Sequence, residues 1–252
     1  KGGCPETLKL TTNYDPSRLT TVTLTGTTAI SRRLAYQVET IGIEPILEDI
    51  LETVRATDLL HISNEASFYA GCPAGVPLNH SPEFCAAPSY FKMLTELGVD
   101  IVELTGNHIL DHGAQAFIDA YGLFHRAGMK TYGGGLNLNE AAAPLHIEHN
   151  GNRLVFLGCN PVGPASVWAA DDRPGAAPCD EDVLMAQVRE LRDGGELPIV
   201  TFQHVEFDFY DVPVIQSASF YKLAEAGAVI VSGSQAHIPQ GFSFIGDAFI
   251  HF

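Results

Sequence analysis

The sequence has little positive charge. Only 14 Lys and Arg residues stand against 30 Asp and Glu residues in the 252-residue chain, which gives a formal net charge of -16. Such an excess of negative charge repels nucleic acid and anionic lipid, so we exclude a nucleic-acid partner. The sequence also lacks long hydrophobic runs: those present, such as 226–232, are too short to form a membrane span in this segment.

Charged residues make up only 17% of the chain, whereas hydrophobic residues make up 46%. This balance is typical of a globular protein and, with the length, predicts a single domain over 1–252. The chain begins at Lys1 and stops at Phe252 inside an apolar stretch that has the pattern of a strand. We therefore expect the domain to be truncated at its C-terminal end and a targeting or anchoring segment to be missing.

The five cysteines include no C-x-x-C pair, which argues against a zinc ribbon or a thioredoxin-like site. Cys72 and Cys85 enclose one loop rich in Pro and Gly, and Cys159 and Cys179 enclose another. Local bridges would staple such long loops, so we predict two disulfides, with Cys4 left over. Disulfides imply an oxidising compartment, whereas the alternative is five reduced thiols in a cytosolic protein.

Strand and helix patterns alternate along the chain. Alternating apolar and β-branched residues predict strands at 19–25, which ends in a turn at Gly26, and at 58–63, 100–105, 144–149, 153–158, 198–204 and 228–234. Helical spacing predicts helices at 44–56, 88–97, 113–127, 181–192 and 217–226. Asn150-Gly151 predicts a hairpin, and 241–252 a second one about Gly246-Asp247. The sequence therefore predicts an α/β domain with a partly antiparallel sheet.

Polar residues follow the predicted strands where each one ends. They are Gly26-Thr27-Thr28, Asn64-Glu65, Gly106-Asn107-His108, Gln203-His204 with Glu206, and Gly233-Ser234-Gln235-Ala236-His237. Ligands of open α/β sheets bind at the carboxyl ends of strands, and these nitrogen and oxygen donors suit zinc, manganese or iron. Taken alone, each group is equally compatible with a turn or a helix cap.

The stretch from Val99 to Gly113 contains Asn107-His108-Ile109-Leu110-Asp111-His112-Gly113. It resembles the Asn-Asn-His-x-x-Asp-x-Gly signature of the CapA poly-gamma-glutamate capsule biosynthesis family, a branch of the calcineurin-like metallophosphatase superfamily. Three further segments resemble family motifs in the same order, so the resemblance covers about 24–252. They are Tyr132-Gly133-Gly134-Gly135 with Asn139-Glu140-Ala141 and Pro144, Gln203-His204-Val205-Glu206, and Gly227-Ala228 through His237-Ile238-Pro239-Gln240.

The resemblance implies a four-layered α/β/β/α sandwich with mixed sheets and a one- or two-metal site at the strand ends. It implies metal ligands at Glu65, Asn107, His204 and His237, with Gln235 as a further contact. His108 would be the general acid, and Asp111 would orient its imidazole. A water polarised by the metal would be the nucleophile.

Two residues depart from the family pattern. Thr27 stands where the family has a ligand Asp, and Gln235 stands where it has the first His of its last motif. A hydroxyl and an amide are poorer ligands for borderline metals than a carboxylate and an imidazole. We therefore expect one divalent ion (zinc, manganese or iron) rather than two, and the alternative is a degenerate cleft that holds no metal.

The sequence supports two functional hypotheses. The first is a metal-dependent hydrolase or transferase of capsule biosynthesis, acting on an anionic polymer or on a small phospho- or amide-linked substrate. The second is a noncatalytic cell-surface protein that binds or anchors an anionic polymer through a degenerate cleft. We assign substrate binding to Asn64, Glu206, Arg32 and Arg33 and expect an exported protein at the cell surface, whereas the oligomeric state stays open.

Overall fold

A computed structural model describes residues 15–77 and 83–252 of the chain. The strands are β1 (Val22–Thr28), β2 (Leu59–Asn64), β3 (Ile101–Glu103), β4 (Lys130–Tyr132), β5 (Gly134–Gly135), β6 (Leu145–His149), β7 (Asn152–Cys159), β8 (Gly175–Ala176), β9 (Leu197–Gln203), β10 (Ile230–Ser234), β11 (Phe242–Ile245) and β12 (Ala248–His251). The helices are α1 (Arg32–Ile41), α2 (Glu44–Arg55), α3 (Lys92–Leu97), α4 (Gly113–Arg126), α5 (Leu138–Ala141), α6 (Glu181–Asp193) and α7 (Val214–Ala226), with 3-10 turns at Pro16–Arg18 and Pro88–Phe91.

Two larger sheets form the centre of the described structure. The first has the order β1-β2-β3-β4 and is parallel throughout. The second has the order β11-β12-β10-β9-β7-β6, parallel in its middle and antiparallel at both edges, where the hairpins β6–β7 and β11–β12 lie. Strands β5 and β8 form a separate antiparallel pair.

Three apolar clusters show how the layers stack. Between the two sheets lie side chains such as Ile101, Phe156 and Ile199. Helices α1 to α4 cover the outer face of the first sheet, and α6 and α7 cover that of the second. The predicted four-layered α/β/β/α sandwich is therefore confirmed, and of its two sheets the second is mixed.

The predicted hairpin at Asn150-Gly151 is present, and both residues have positive φ angles, of 50° and 75°. This is the backbone that a two-residue turn requires between right-twisted strands. The prediction that the first strand ends at Gly26 is wrong. Strand β1 runs on to Thr28, because a register shift between Leu24 and Thr27 lets Thr27 and Thr28 keep pairing with β2.

Both predicted disulfides, Cys72–Cys85 and Cys159–Cys179, are formed. They join cysteines at sequence separations of 13 and 20 residues. The remaining thiol, Cys4, lies outside the described residues.

None of the helices within 15–77 and 83–252 combines the length and the apolar character that crossing a membrane requires.

Candidate functional site

The carboxyl ends of strands from both sheets converge on one cleft. Thr27 comes from β1, Glu65 follows β2, Gln203 ends β9 and Gln235 follows β10. The loops after β2 and β3 run side by side through a parallel bridge between Ala66 and His108, which brings Asn107 and His108 beside Glu65. The sheet topology therefore gathers these polar residues although they are distant in sequence.

Glu65 is the buried acid of the cleft, with 3% of its surface exposed. Its two oxygens accept hydrogen bonds from separate amides: Oε2 from Gln203 Nε2 at 2.6 Å and Oε1 from Gln235 Nε2 at 3.3 Å. Burial raises the pKa of the Glu65 carboxyl to about 7, although the two amides and the nearby His108 oppose that shift.

His108 and Asp111, the pair that the family resemblance implies, are in contact. His108 Nδ1 lies 2.7 Å from Asp111 Oδ2, and this carboxylate oxygen also accepts the backbone N–H of Phe84 at 2.7 Å. The other ring nitrogen, Nε2, lies 4.0 Å from Glu65 Oε1. Asp111 thus fixes the imidazole so that Nε2 faces the cleft, where it can contact a ligand.

Phe84 stands between the imidazole of His108 and the guanidinium of Arg32. Its ring centroid lies 4.2 Å from that of His108, and the Arg32 guanidinium carbon lies 4.0 Å from the Phe84 centroid. An aromatic ring attracts a cation over its face, so Phe84 holds Arg32 at the cleft. The next residue is Cys85, so the Cys72–Cys85 disulfide anchors this wall.

The cleft has two lobes that meet at Glu206 and Gln235. One lobe has a volume of about 420 Å³, and the residues that line it include Arg32, Glu65, Phe84, His108 and His237. The other has about 620 Å³ and is lined by Asn107, His204 and the segment 161–164. Cys159–Cys179 anchors the wall of the second lobe as Cys72–Cys85 anchors that of the first.

The structure brings three of the five predicted metal ligands together. Asn107 Oδ1 lies 3.1 Å from Gln203 Nε2, which also bonds Glu65 and Gln235. Thr27, at the position of the family's ligand Asp, hydrogen-bonds Gln235 instead: its Oγ1 lies 3.3 Å from Gln235 Oε1.

The other two predicted ligands lie apart from this group. The ring of His204 packs against Phe202 and Phe220 on the α7 side of the second sheet, and burial lowers its pKa. Its Nδ1 is buried without a hydrogen-bond partner. His237 is about half exposed at the rim, where its Nδ1 lies 3.1 Å from Asp208 Oδ1.

The four predicted substrate-binding residues occupy different places. Arg32 and Glu206 line the first lobe. Asn64 is buried, and its amide donates to the backbone oxygen of Ala66 at 3.0 Å, so it holds the turn that carries Glu65. Arg33 is exposed on α1 and is not among the residues that line either lobe.

Two further residues, Gln203 and Asn160, belong to the site. Gln203 is fully buried, and its Oε1 lies 3.2 Å from Asn160 Nδ2. The alternation of side chains along β9 indicates which way Gln203 points. Ile199 packs between the sheets and Thr201 bonds a side chain of the facing sheet, so Gln203, two residues further on, points to the same side. By the same alternation, the side chain of His204 lies on the opposite face, toward the helices.

These donors do not fit the zinc, manganese or iron centre that the resemblance implies. Within the described ranges, no three His, Cys, Asp or Glu side chains are placed to hold a metal ion. The cluster around Glu65 consists instead of amides and a hydroxyl, which are weak ligands for such metals. One amide nitrogen, Gln203 Nε2, points at the oxygens that would have to face the ion.

Comparisons with known proteins agree with this fold. The chain matches the family model described as bacterial capsule synthesis protein PGA_cap over residues 21–252. The capsule biosynthesis protein CapA of Bacillus anthracis is 27% identical over 155 residues, which are 60% of this chain and 38% of that protein. The match therefore spans well under half of that relative. A hypothetical protein from Thermus thermophilus has a similar fold, with a TM-score of 0.50, 18% identity and coverage of 91% of this chain and 74% of that one.

Proposed function

Because this chain belongs to the bacterial capsule synthesis family PGA_cap, we propose that it acts in capsule biosynthesis by binding an extended segment of an anionic polymer in its cleft. The shape of the cleft carries this proposal. Its two lobes, of about 420 and 620 Å³, share Glu206 and Gln235 as a common border. A groove with two connected lobes suits a chain that continues in both directions better than a small compact ligand.

The contacts available to an anionic polymer lie in the first lobe. Arg32 lines it and can present positive charge to a carboxylate or phosphate group, and the ring nitrogens of His108 and His237 line the same lobe. Since the chain as a whole carries a formal charge of -16, attraction must come from such a local group rather than from the overall field. Arg32, held over Phe84, is the residue on which we expect binding to depend most.

A pair of neighbouring arginines tests this proposal. We expect Arg32→Ala to weaken binding of poly-gamma-glutamate about tenfold, by loss of a charge-assisted contact, measured by isothermal titration calorimetry. Arg33→Ala removes the same charge one residue away, at an exposed position outside both lobes, and should change the affinity little. Equal effects of the two substitutions, with unchanged melting temperatures, would contradict a specific role of the cleft.

A second candidate function is hydrolysis of the bound polymer with His108 as proton donor. The observation in its favour is the 2.7 Å contact between His108 Nδ1 and Asp111 Oδ2, which leaves Nε2 directed at the cleft. In this case a water molecule would attack the carbonyl carbon of an amide link, the C–N bond would break, and His108 would give a proton to the departing nitrogen while Asp111 holds the imidazole in place. If the protein shortens poly-gamma-glutamate and the His108→Gln variant does not, catalysis is supported. If the protein leaves the polymer length unchanged, only the binding function remains.

We propose that the protein acts outside the cytoplasm, at the cell surface. The two disulfides, which form in oxidising compartments, support this location. Protein isolated from its native source should resist alkylation of Cys72, Cys85, Cys159 and Cys179 until it is reduced, as measured by peptide mass spectrometry. Alkylation of all four cysteines without reductant would contradict a location outside the cytoplasm.

A further inference from the structure

The side-chain amide nitrogen of Gln203 lies among three oxygen atoms that belong to three different segments. It lies 2.5 Å from Gln235 Oε1, 2.6 Å from Glu65 Oε2 and 3.1 Å from Asn107 Oδ1. Two of these oxygens belong to side chains after β2 and β10, and the third follows β3. An arrangement of oxygens around one central atom is also how a protein surrounds a cation.

The contacts of the Gln203 side-chain oxygen determine which way the amide group is turned. Gln203 Oε1 accepts the backbone N–H of Asn107 at 2.5 Å and the side-chain amide of Asn160 at 3.2 Å. Reversing the amide would set its NH₂ group against the Asn107 N–H, donor against donor. The nitrogen therefore has to face Glu65, Asn107 and Gln235.

A second amide completes the group. Gln235 Nε2 donates to Glu65 Oε1 at 3.3 Å and to Glu206 Oε1 at 3.0 Å. Its oxygen accepts from Gln203 and lies 3.3 Å from the hydroxyl of Thr27. Both oxygens of the buried Glu65 carboxyl thus have an amide donor, so the cleft satisfies this group with protein atoms alone.

We propose that the Gln203 amide nitrogen takes the place of a metal ion in this cleft and that Gln203 is the residue that positions Glu65, Asn107 and Gln235. The lone pairs that an ion would need are directed instead at Gln203 Nε2, whose two hydrogens are shared among the three oxygens. The cleft thereby keeps the geometry of a metal centre through hydrogen bonds. This inference goes beyond the binding proposal, because it holds whichever polymer the cleft accepts.

The first test replaces both amides by imidazole. We expect Gln203→His/Gln235→His to retain about one equivalent of zinc or manganese after dialysis, and the unsubstituted protein to retain about a tenth of that or less. Inductively coupled plasma mass spectrometry measures the metal. The control Gln37→His/Gln115→His adds two imidazoles on helices α1 and α4, away from the cleft, and should retain no more metal than the unsubstituted protein.

A second variant tests the proposal even if the double substitution prevents folding. Gln203→Glu keeps the size of the side chain but directs an oxygen at the oxygens of Glu65 and Gln235. We expect it to melt at a lower temperature than the unsubstituted protein, and added manganese to restore much of the loss. A role for Gln203 in packing alone would lower the melting temperature with no rescue by metal.

One result would overturn the proposal directly. If the unsubstituted protein binds one equivalent of zinc or manganese with a dissociation constant of about 1 μM or tighter, and Glu65→Gln abolishes that binding, an ion and not the amide occupies the centre. Failure of Gln203→Glu to respond to manganese would also count against the inference. Neither result bears on whether Arg32 binds a polymer, so the two proposals can fail separately.

Discussion

At the scale of single residues, Gly106 allows the loop after β3 to pass directly over Glu65. A Cβ at this position would lie 2.6 Å from the backbone oxygen of Asn64 and 2.7 Å from that of Glu65. Backbone atoms cannot move aside as the end of a flexible side chain can. Gly106 therefore sets the distance between the segment that carries Asn107 and His108 and the segment that carries the buried acid.

We predict that Gly106→Ala lowers the free energy of unfolding by about 1–3 kcal/mol, because the added methyl group forces these two segments apart. Urea unfolding followed by circular dichroism measures the change. Gly241→Ala is the matched control, since a Cβ there meets nothing within 4 Å. A loss in Gly241→Ala as large as in Gly106→Ala would show that the effect is not one of close contact.

Glu103 is a second buried acid, placed between the sheets and away from the cleft. It accepts a hydrogen bond from Thr105 at 2.6 Å and lies 3.8 Å from His61, which is also buried. Burial raises the pKa of the Glu103 carboxyl to about 7 and lowers the pKa of His61 to about 3. The space between the sheets therefore holds a neutral histidine and a carboxyl that keeps its proton to higher pH than an exposed carboxyl does.

The raised pKa of Glu103 predicts how stability depends on pH. The folded state binds more protons than the unfolded state between pH 4.5 and about 7, so this contribution to stability is complete below pH 4.5 and is lost as pH rises through 7. We expect the loss of stability between pH 5 and pH 8, measured by urea unfolding, to be smaller in Glu103→Gln by on the order of 1–3 kcal/mol. Glu65, whose pKa is also raised to about 7, still contributes its own share of the loss. The control Glu190→Gln, at an exposed position, should show the same change of unfolding free energy with pH as the unsubstituted protein. If Glu103→Gln also shows that same change, Glu103 is not the group responsible.

At the scale of elements, the sequence predicted most of the helices and strands but missed some, among them α1 and β4. Helices α2, α4 and α6 follow from their apolar spacing, and the Asn150-Gly151 hairpin follows from its turn residues. Helix α1 was missed because it buries only Ala35 and Val38. Strand β4 was missed because three residues carry no period of their own, and only pairing with β3 defines it.

The same reasoning explains how far the site could be predicted. Glu65, Asn107 and His108 follow strands whose order along the first sheet brings them together, so their strand-end position was enough. To predict the position of Gln203, one must also know which face of β9 is directed toward the other sheet. The contact of Phe84 with His108 depends on the path of a loop that carries no pattern in the sequence.

The loop closed by Cys72–Cys85 is an element whose effect on the site can be tested. It carries Phe84, whose N–H bonds Asp111 and whose ring packs on His108. We predict that Cys72→Ala/Cys85→Ala shifts the NMR signals of the His108 ring, because the ring current of Phe84 no longer acts at a fixed distance.

The other disulfide provides the control for this experiment. Removing either bridge should lower the free energy of unfolding by about 2–4 kcal/mol, since both close loops of similar length. Only the loss of Cys72–Cys85 should move the His108 signals, because the loop of Cys159–Cys179 borders the second lobe. Equal shifts in both double variants would mean that His108 senses general loosening rather than Phe84.

At the scale of the whole molecule, the cleft lies where two sheets present their carboxyl ends to the same space. Glu65 and Asn107 come from one sheet and Gln203 and Gln235 from the other, so the hydrogen bonds among them also join the sheets at this edge. Below them apolar side chains such as Ile101, Phe156 and Ile199 lie between the sheets, together with the buried His61 and Glu103. The polar group at the edge therefore serves both the cleft and the packing of the two halves.

From the overall charge of the protein we predict how its rate of association with an anionic polymer depends on salt. With a formal net charge of -16, long-range repulsion should slow the encounter, whereas the contact with Arg32 acts only at short distance. Raising the ionic strength from about 0.01 M to about 0.15 M shortens the screening length from about 30 Å to about 8 Å. The repulsion is then screened more strongly than contacts inside the cleft, so the association rate constant should rise with salt.

Surface plasmon resonance with immobilised poly-gamma-glutamate measures this rate. We expect association to speed up severalfold over that range of salt while dissociation changes less, because dissociation depends on contacts within the cleft. Arg32→Ala should show the same rise in association rate but faster dissociation at every salt concentration. An association rate that falls with salt, as it does for oppositely charged partners, would mean that a basic surface and not the cleft makes the first contact.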